Sequence, residues 1–230
     1  MCTVVVLVRP GHAWPVLLAA NRDEMLNRAW DPPSAWWPEY PGVVGGRDRM
    51  AGGTWMAMQG GRVATVLNRP GSLGPAVGKR SRGELPLLAL TGDVTAVDCG
   101  AYRPFNMVLA DRDGAQFVRG DGVGRPVAWA LPPGVSVVTA HDPNDPASPR
   151  AMAQLRIFQA APVPEPPDWT SWMTLVVDPA GENGTALYLR PEDGFGTVCS
   201  SLFGLQAAGP PVWLFSRGRS DFISVSDSFC

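Results

Sequence analysis

The sequence is short of charge. Only 17% of its 230 residues are Asp, Glu, Lys or Arg, and they nearly cancel to a formal net charge of −2. That balance leaves no basic footprint, so nucleic acid and anionic membrane surfaces are not expected partners. Cysteine is sparse and scattered: Cys2, Cys99, Cys199 and Cys230 form no CxxC pair, so neither a zinc site nor a disulfide framework is indicated. They are expected to be reduced thiols of a cytoplasmic protein. No basic residues precede the first apolar run, and Arg9, Pro10 and Gly11 interrupt it, so no secretory signal is expected. Nor does any run reach the about 20 apolar residues of a membrane-crossing helix, so membrane insertion is not expected either. No lipoprotein signal stands before Cys2, and Cys230 is the last residue rather than the fourth from the end, so lipidation is not expected at either position. There is no internal repeat.

What is present is apolar and rich in turns. Hydrophobic residues make up 45% of the chain, with 9 Trp, while Gly 26 and Pro 24 are spread between the apolar runs. Residues 1–230 read as one domain. Val4 to Val8 and "VLLAANRDE", separated by "RPGHAWP", read as a β-hairpin. "GGTWMAMQGGRVATVLNRPG" reads as a second, turning at Gly60-Gly61, and "FNMVLADRDGAQFVRGDG" as a third, turning at Asp113-Gly114. "GVSVVTAHD", "GTVCSSLFGLQ", "PVWLFSRG" and "DFISVSD" supply further strands. A short helix is predicted over Ser81–Leu90, weakened by Gly83 and Pro86. A stronger one is predicted from Ser148 to Ala160, with apolar residues at 152, 155 and 158. After the stiff connector "APVPEPPD", Trp169, Trp172, Met173 and Val176 follow helical spacing and read as core. Strand hairpins at both ends with helices between them indicate an α+β layered fold.

The residue that raises a chemical question is Cys2. A thiolate is a strong nucleophile, and a free α-amino group, with a pKa of about 7.7 to 8.0, is a base in the right range. If Met1 is removed, both groups belong to Cys2, and the amine can take the thiol proton directly or through water. A small residue filling a strand start is the competing reading. "NRDE" at 21–24 places four polar residues at the end of an apolar strand. On an extended strand Arg22 and Glu24 face one way, Asn21 and Asp23 the other, so only one pair meets a thiol on the neighbouring strand. A carboxylate there would anchor the α-ammonium, and the guanidinium would stabilise a thiolate or hold a substrate carbonyl or carboxylate. Asn68 ends another strand before a turn; it serves the turn or donates to an oxyanion. His141, one of only two histidines, lies in "HDPND", as a solvent-exposed or capping residue or as a supporting one. His12 lies in a turn.

"MC", "AANRDE", "GGRD", "AGGTW", "LNRPG", "RGEL", "FNMVLAD" and "GTVCSS" occur in this order along nearly the whole chain. In that order the sequence resembles the NRDE family, also called the transport and Golgi organization protein 2 family, and "HDPNDPASPR" looks like its bacterial branch. The resemblance implies an amino-terminal nucleophile hydrolase-like fold, a four-layer αββα sandwich of antiparallel sheets, with cysteine first in the processed chain. A more distant similarity is to bile salt hydrolases and penicillin V acylases. Their "LNFPG" is similar to "LNRPG" here, which makes Asn68 the counterpart of an oxyanion-hole asparagine. In those enzymes the Arg and Asp of the second strand are three residues apart, whereas Arg22 is followed at once by Asp23 and Glu24, so either acid can be the one that holds the amine. An arginine on a late strand of those acylases falls here at Val198, a departure from the acylase pattern.

Two functions follow as expectations. The first is hydrolysis of a small amide, thioester or related acyl bond, with Cys2 as nucleophile, Arg22, Asp23, Glu24 and Asn68 as catalytic partners, Asn21 and His141 in support, and no cofactor. The second comes from the link of eukaryotic members of the resembled family to haem trafficking and acyl-lipid homeostasis. It is a non-catalytic haem or acyl-lipid carrier, with iron ligated by Cys2, His12 or His141 and tryptophans lining an apolar site.

Overall fold

The computed structural model describes residues 2–181 and 184–225. Met1, whose removal is expected, and Cys230 lie outside them. The strands are β1 (Thr3–Val8), β2 (Val16–Met25), β3 (Trp30–Ser34), β4 (Val44–Asp48), β5 (Met56–Gln59), β6 (Arg62–Asn68), β7 (Phe105–Asp111), β8 (Gly114–Gly120), β9 (Val127–Ala130), β10 (Gly134–Val138), β11 (Phe195–Leu205), β12 (Val212–Ser216) and β13 (Ile223–Ser224). The α-helices are α1 (Leu85–Thr91), α2 (Pro149–Ala160) and α3 (Thr170–Val176).

Two antiparallel sheets result: a six-stranded one in the order β10-β1-β2-β11-β12-β13 and a seven-stranded meander from β3 to β9. In central strands such as β1 and β2 the apolar residues alternate between two buried faces, which is why runs such as "VVVLV" carry no polar side. Val4, Val6, Leu18, Ala20, Val63, Val108 and Phe117 fill the space between the sheets. Val5, Leu7, Leu17 and Ala19 face the other way, onto Phe158, Trp172 and Val176 of α2 and α3. Ala57, Ala64 and Val66 face Leu85 and Ala89 of α1. The order α1, sheet, sheet, α2 and α3 is the expected four-layer sandwich. At about 25 cal/mol per Å² of apolar surface removed from water, three contiguous cores are the main stabilising term. Among the described residues no helix is long and apolar enough to cross a membrane.

Several elements depart from the sequence reading for local reasons. The β7–β8 turn is Arg112-Asp113, one residue earlier than expected, because Asp111 Oδ1 accepts from Asp113 N at 2.9 Å and closes the turn there. Ser81 caps a single 3-10 turn over Arg82–Glu84, accepting from Gly83 N, and the α-helix starts after it, where Pro86 falls harmlessly in the first turn. α2 begins as predicted, with Ser148 Oγ accepting from Ala151 N at 3.2 Å. Its buried stripe is Ala151, Gln154 and Phe158 rather than 152, 155 and 158, since Gln154 Nε2 reaches Thr185 O at 2.9 Å. β3 and β4 were not expected. Pro32 and Pro33 are tolerated because β3 is an edge strand, with one side free of ladder bonds.

Candidate active site

β1 and β2 pair with Thr3 opposite Asn21 and Val4 opposite Ala20. One step further brings Cys2 opposite Arg22. Val4 and Ala20 point between the sheets, so parity puts Cys2, Arg22 and Glu24 on that inner face and Asn21 and Asp23 on the outer one. Asn21 is accordingly turned away from the thiol. Its Nδ2 donates to Val176 O at 2.8 Å and Leu187 O at 3.0 Å, tying the α3 layer to the sheet.

Asp23 has its carboxylate in the outer layer. It accepts from Thr197 Oγ1 at 2.6 Å and pairs with Arg150 Nη1 at 3.1 Å. Its backbone carbonyl faces back to Cys2, whose thiol donates to it at 3.7 Å. Burial pushes the Cys2 thiol above its ordinary value, the Asp23 charge adds to that, and Arg22 opposes it. Burial also pushes the Asp23 carboxyl up, against the hydroxyl of Thr197 and the charge of Arg150. The neighbouring Cys199 is raised to about 12, again by burial first. The resting Cys2 is therefore a thiol that needs a base. Of the two acids, Asp23 is the one whose charge Cys2 feels; Glu24 Oε2 lies 3.6 Å from both Arg22 Nη2 and Arg28 Nε.

Between Thr197 and Cys199 the β2–β11 register shifts by one. The extra residue is Val198, so β11 carries a bulge there. The bulge lets Thr197 face outward to Asp23 while Cys199, two residues on, faces inward opposite Arg22. In the strand row Arg22 stands between Cys2 and Cys199, and its guanidinium lies 5.8 Å from the Trp30 ring centroid.

A cavity of about 750 Å³ opens in front of Cys2, and its lining includes Arg22, Glu24, Thr54, Asn68 and Arg82. Five of the separated motifs, "NRDE", "GGRD", "AGGTW", "LNRPG" and "RGEL", contribute to this one wall. Their glycines explain how. A Cβ on Gly53 would lie 2.3 Å from the Gly83 carbonyl carbon, so only glycines allow "AGGTW" to lie flat on "RGEL", where Thr54 N donates to Gly83 O at 2.7 Å. A Cβ on Gly45 would lie 2.8 Å from Met56 O, which keeps β4 close on β5. Asn68 ends β6 opposite Phe105, and no described residue bonds its side-chain amide. Another cavity, of about 280 Å³, lies beside Asp111 and Gly114 and holds none of the expected site residues.

His141 does not line the Cys2 cavity. Its carbonyl accepts from Asn106 Nδ2 at 2.8 Å, while its buried Nδ1 has no partner among the described residues. The charged work of "HDPND" falls to Asp142, which accepts from Arg69 Nη1 at 2.7 Å and Arg119 Nη1 at 2.8 Å. Burial opposes ionisation of Asp142, but the two guanidiniums outweigh it and hold the carboxyl below the usual range. Arg69 Nη1 also donates to Asn106 Oδ1 at 2.6 Å, so three motifs brace the turn that carries Asn68. His12 lies beyond the far end of β1, about 20 Å along the strand from Cys2 at 3.3 Å per residue, with Nδ1 accepting from Trp14 N at 3.0 Å. Neither histidine lines the Cys2 cavity, and among the described residues no three His, Cys, Asp or Glu side chains form a metal cluster.

Three participants were not singled out in the sequence. Thr197 and Arg150 hold Asp23 from elements far along the chain; they stand inside the quoted "GTVCSS" and "HDPNDPASPR", but nothing local pairs either with Asp23. Arg82 stands inside the quoted "RGEL". Its Nη1 donates to Ser72 Oγ at 2.8 Å and Pro104 O at 3.0 Å, and burial together with the charge of Arg103 lowers its pKa to about 10.

Comparison with known proteins adds a family and a fold. The family model described as Transport and Golgi organisation 2 matches residues 1–151, a span that includes Cys2, Arg22–Glu24, Asn68 and Arg82. No curated protein sequence matches the chain. Among solved structures, the chain is similar to a Caenorhabditis elegans N-acylethanolamine-hydrolyzing acid amidase (NAAA) ortholog, with a TM-score of 0.54 and 11% identity over 87% of this chain and 92% of that one. At that identity the likeness speaks for the fold alone.

Proposed function

The chain belongs to the Transport and Golgi organisation 2 family, and from that premise we propose that it is an amino-terminal cysteine hydrolase of a small amide, thioester or related acyl bond. The observation that carries the reading is the single cavity onto which Cys2, Arg22 and Asn68 all open.

In this mechanism Met1 is removed and the α-amine of Cys2 takes the thiol proton, directly or through one water. The thiolate attacks the acyl carbon, a C–S bond forms, and the oxyanion is met by the unengaged amide of Asn68. The tetrahedral intermediate collapses, and the leaving group takes the proton back from the ammonium. Water, deprotonated by the same amine, then cleaves the acyl-enzyme and restores the thiol. Asp23 is the acid assigned to hold the ammonium, supported by its effect on Cys2 and by Glu24 being turned to Arg22 and Arg28. Arg22 offsets the thiolate charge that burial opposes.

Intact-mass measurement of the active protein should show loss of Met1. Cys2→Ala and Cys2→Ser should both abolish turnover of the best substrate from a panel of small amides and thioesters. An active protein that retains Met1, or an active Cys2→Ala variant, overturns the reading.

Acyl-lipid carriage is a second reading with one observation in its favour: the exposed Met25, Met50 and Leu73 at the cavity suit an alkyl chain. A carrier would bind a fluorescent fatty-acyl probe without releasing product, and Cys2→Ser would leave that binding intact.

A further inference from the structure

Resting on the reading of Cys2 as nucleophile, we propose that the substrate carries an oxyanion, a carboxylate or phosphate, received by Arg82 on a cationic wall that Arg103 and Lys79 complete. Most arginines at the cavity are already neutralised. Arg28 pairs with Asp48 at 2.7 Å, Arg47 with Asp31 at 2.8 Å, Arg80 with Glu84 at 2.6 Å and Arg22 with Glu24 at 3.6 Å. Lys79, Arg82 and Arg103 differ, since none has a carboxylate partner among the described residues.

These three bond only to neutral oxygens. Arg103 donates to the carbonyls of Gly71 at 3.0 Å, Pro75 at 3.2 Å and Gly74 at 3.5 Å, Lys79 to Gly100 O, and Arg82 to Ser72 Oγ and Pro104 O. Such acceptors satisfy N–H groups and bring no negative charge. Arg82 is the most available of the three: only its Nη1 is engaged, leaving Nε and Nη2, the edge of the fork that takes an oxyanion in two parallel hydrogen bonds. The guanidinium is half-buried, and it feels both the repulsion of Arg103 and the attraction of a Cys2 thiolate. Two partly desolvated cations side by side are costly, and an anion between them relieves that cost. A carboxylate or phosphate on Arg82 would lie within the cavity that Cys2 faces, and the apolar Met25 and Leu73 would meet the remainder of the substrate.

A matched pair of alkylating agents tests this without knowledge of the substrate. In either case the Cys2 thiolate displaces iodide and forms a C–S bond. Iodoacetate carries a carboxylate and iodoacetamide does not, so the ratio of their rates at Cys2, read by peptide mapping, cancels the thiolate population. The ratio should exceed that of glutathione by roughly tenfold, as one charge-assisted contact would give, and the iodoacetate rate should saturate. Arg82→Gln should return the ratio to that of glutathione, whereas Arg82→Lys should keep part of the excess. Arg103→Gln, which spares the Arg82 bonds to Ser72 and Pro104, should lower it too. Acetate or inorganic phosphate should slow iodoacetate and leave iodoacetamide unaffected; the one effective at lower concentration identifies the oxyanion. A glutathione-like ratio in the unaltered protein, or protection by neither anion, overturns the proposal while Cys2 remains a nucleophile. If Cys2 reacts with neither reagent, the nucleophile reading fails, and labelling of Arg82 by phenylglyoxal then decides the matter. Protection of Arg82 by phosphate or acetate supports the anion site, and no protection overturns it.

Discussion

Gly52 and Gly53 are adjacent, yet they are glycine for different reasons, and Ala substitutions should separate them. Gly52 has φ +76° and nothing within 4 Å of a built Cβ, so Gly52→Ala incurs only the left-handed backbone, about 1 kcal/mol. Gly53 has no such φ, but its Cβ would lie 2.3 Å from the carbonyl carbon, 2.4 Å from the oxygen and 2.8 Å from the Cα of Gly83. All three atoms are backbone, so no rotamer change can give way. The two segments must part by about 1 Å to reach ordinary contact, which costs about 1–3 kcal/mol of overpacking. Loss of the Thr54 N to Gly83 O bond adds about 1 kcal/mol. Gly53→Ala should therefore cost about 2–4 kcal/mol, which with an m-value of about 3 kcal/mol/M lowers the urea midpoint by about 1 M, and Gly52→Ala about a third of that. Because Thr54 and Arg82 line the cavity, Gly53→Ala should also change the iodoacetamide rate at Cys2, whereas Gly52→Ala should not. Equal costs for the two variants, or a Gly53→Ala effect under 0.5 kcal/mol by the same assay, would refute the close-approach argument.

Asp23→Asn removes a negative charge that raises the Cys2 thiol, so the pH at which iodoacetamide labelling of Cys2 reaches half its maximum rate should fall; an unchanged profile would show that Asp23 does not act on the thiol. Ser148→Ala deletes the cap on Ala151 N and a contact with Thr139 Oγ1, and should cost about 1 kcal/mol in urea unfolding. Asp142 is held below the usual carboxylate range, so it contributes stability above its unfolded value that is lost as the pH falls through the folded one. Asp142→Asn should be less stable than the unaltered chain at neutral pH, with the difference shrinking toward acid. A difference that grows as the pH falls would contradict the assignment.

Much of the architecture was legible where one strand follows another. The three hairpins stand out because β-branched runs flank Gly and Asp turns, and Ser148-Pro149 announces α2. β3 and β4 escaped because Pro32-Pro33 and Gly45-Gly46 look like loops until an edge position and a tight sheet contact make them strands. In the site, strand parity correctly split "NRDE" into two pairs. Which pair met Cys2 depended on the register with β1, and that is set by pairing across the hairpin rather than by either segment alone. Arg82 was hidden for a different reason: one arginine of the basic run 79–82 before a short helix becomes notable only when folding leaves it without an acid. Thr197 could not be foreseen as a partner of Asp23, since the hydrogen bond depends on a bulge that one extra residue creates.

That extra residue gives β11 an unusual tolerance. The pairs on one side of Val198, such as Thr197 with Asp23, and on the other, such as Cys199 with Arg22, would stay in frame if it were deleted. A strand normally reverses every later side chain when it loses a residue; here the deletion would only restore regular alternation. Position 198 is thus a place where the chain can gain, lose or exchange one inward-facing group beside Arg22 while the rest of the sheet keeps its alignment.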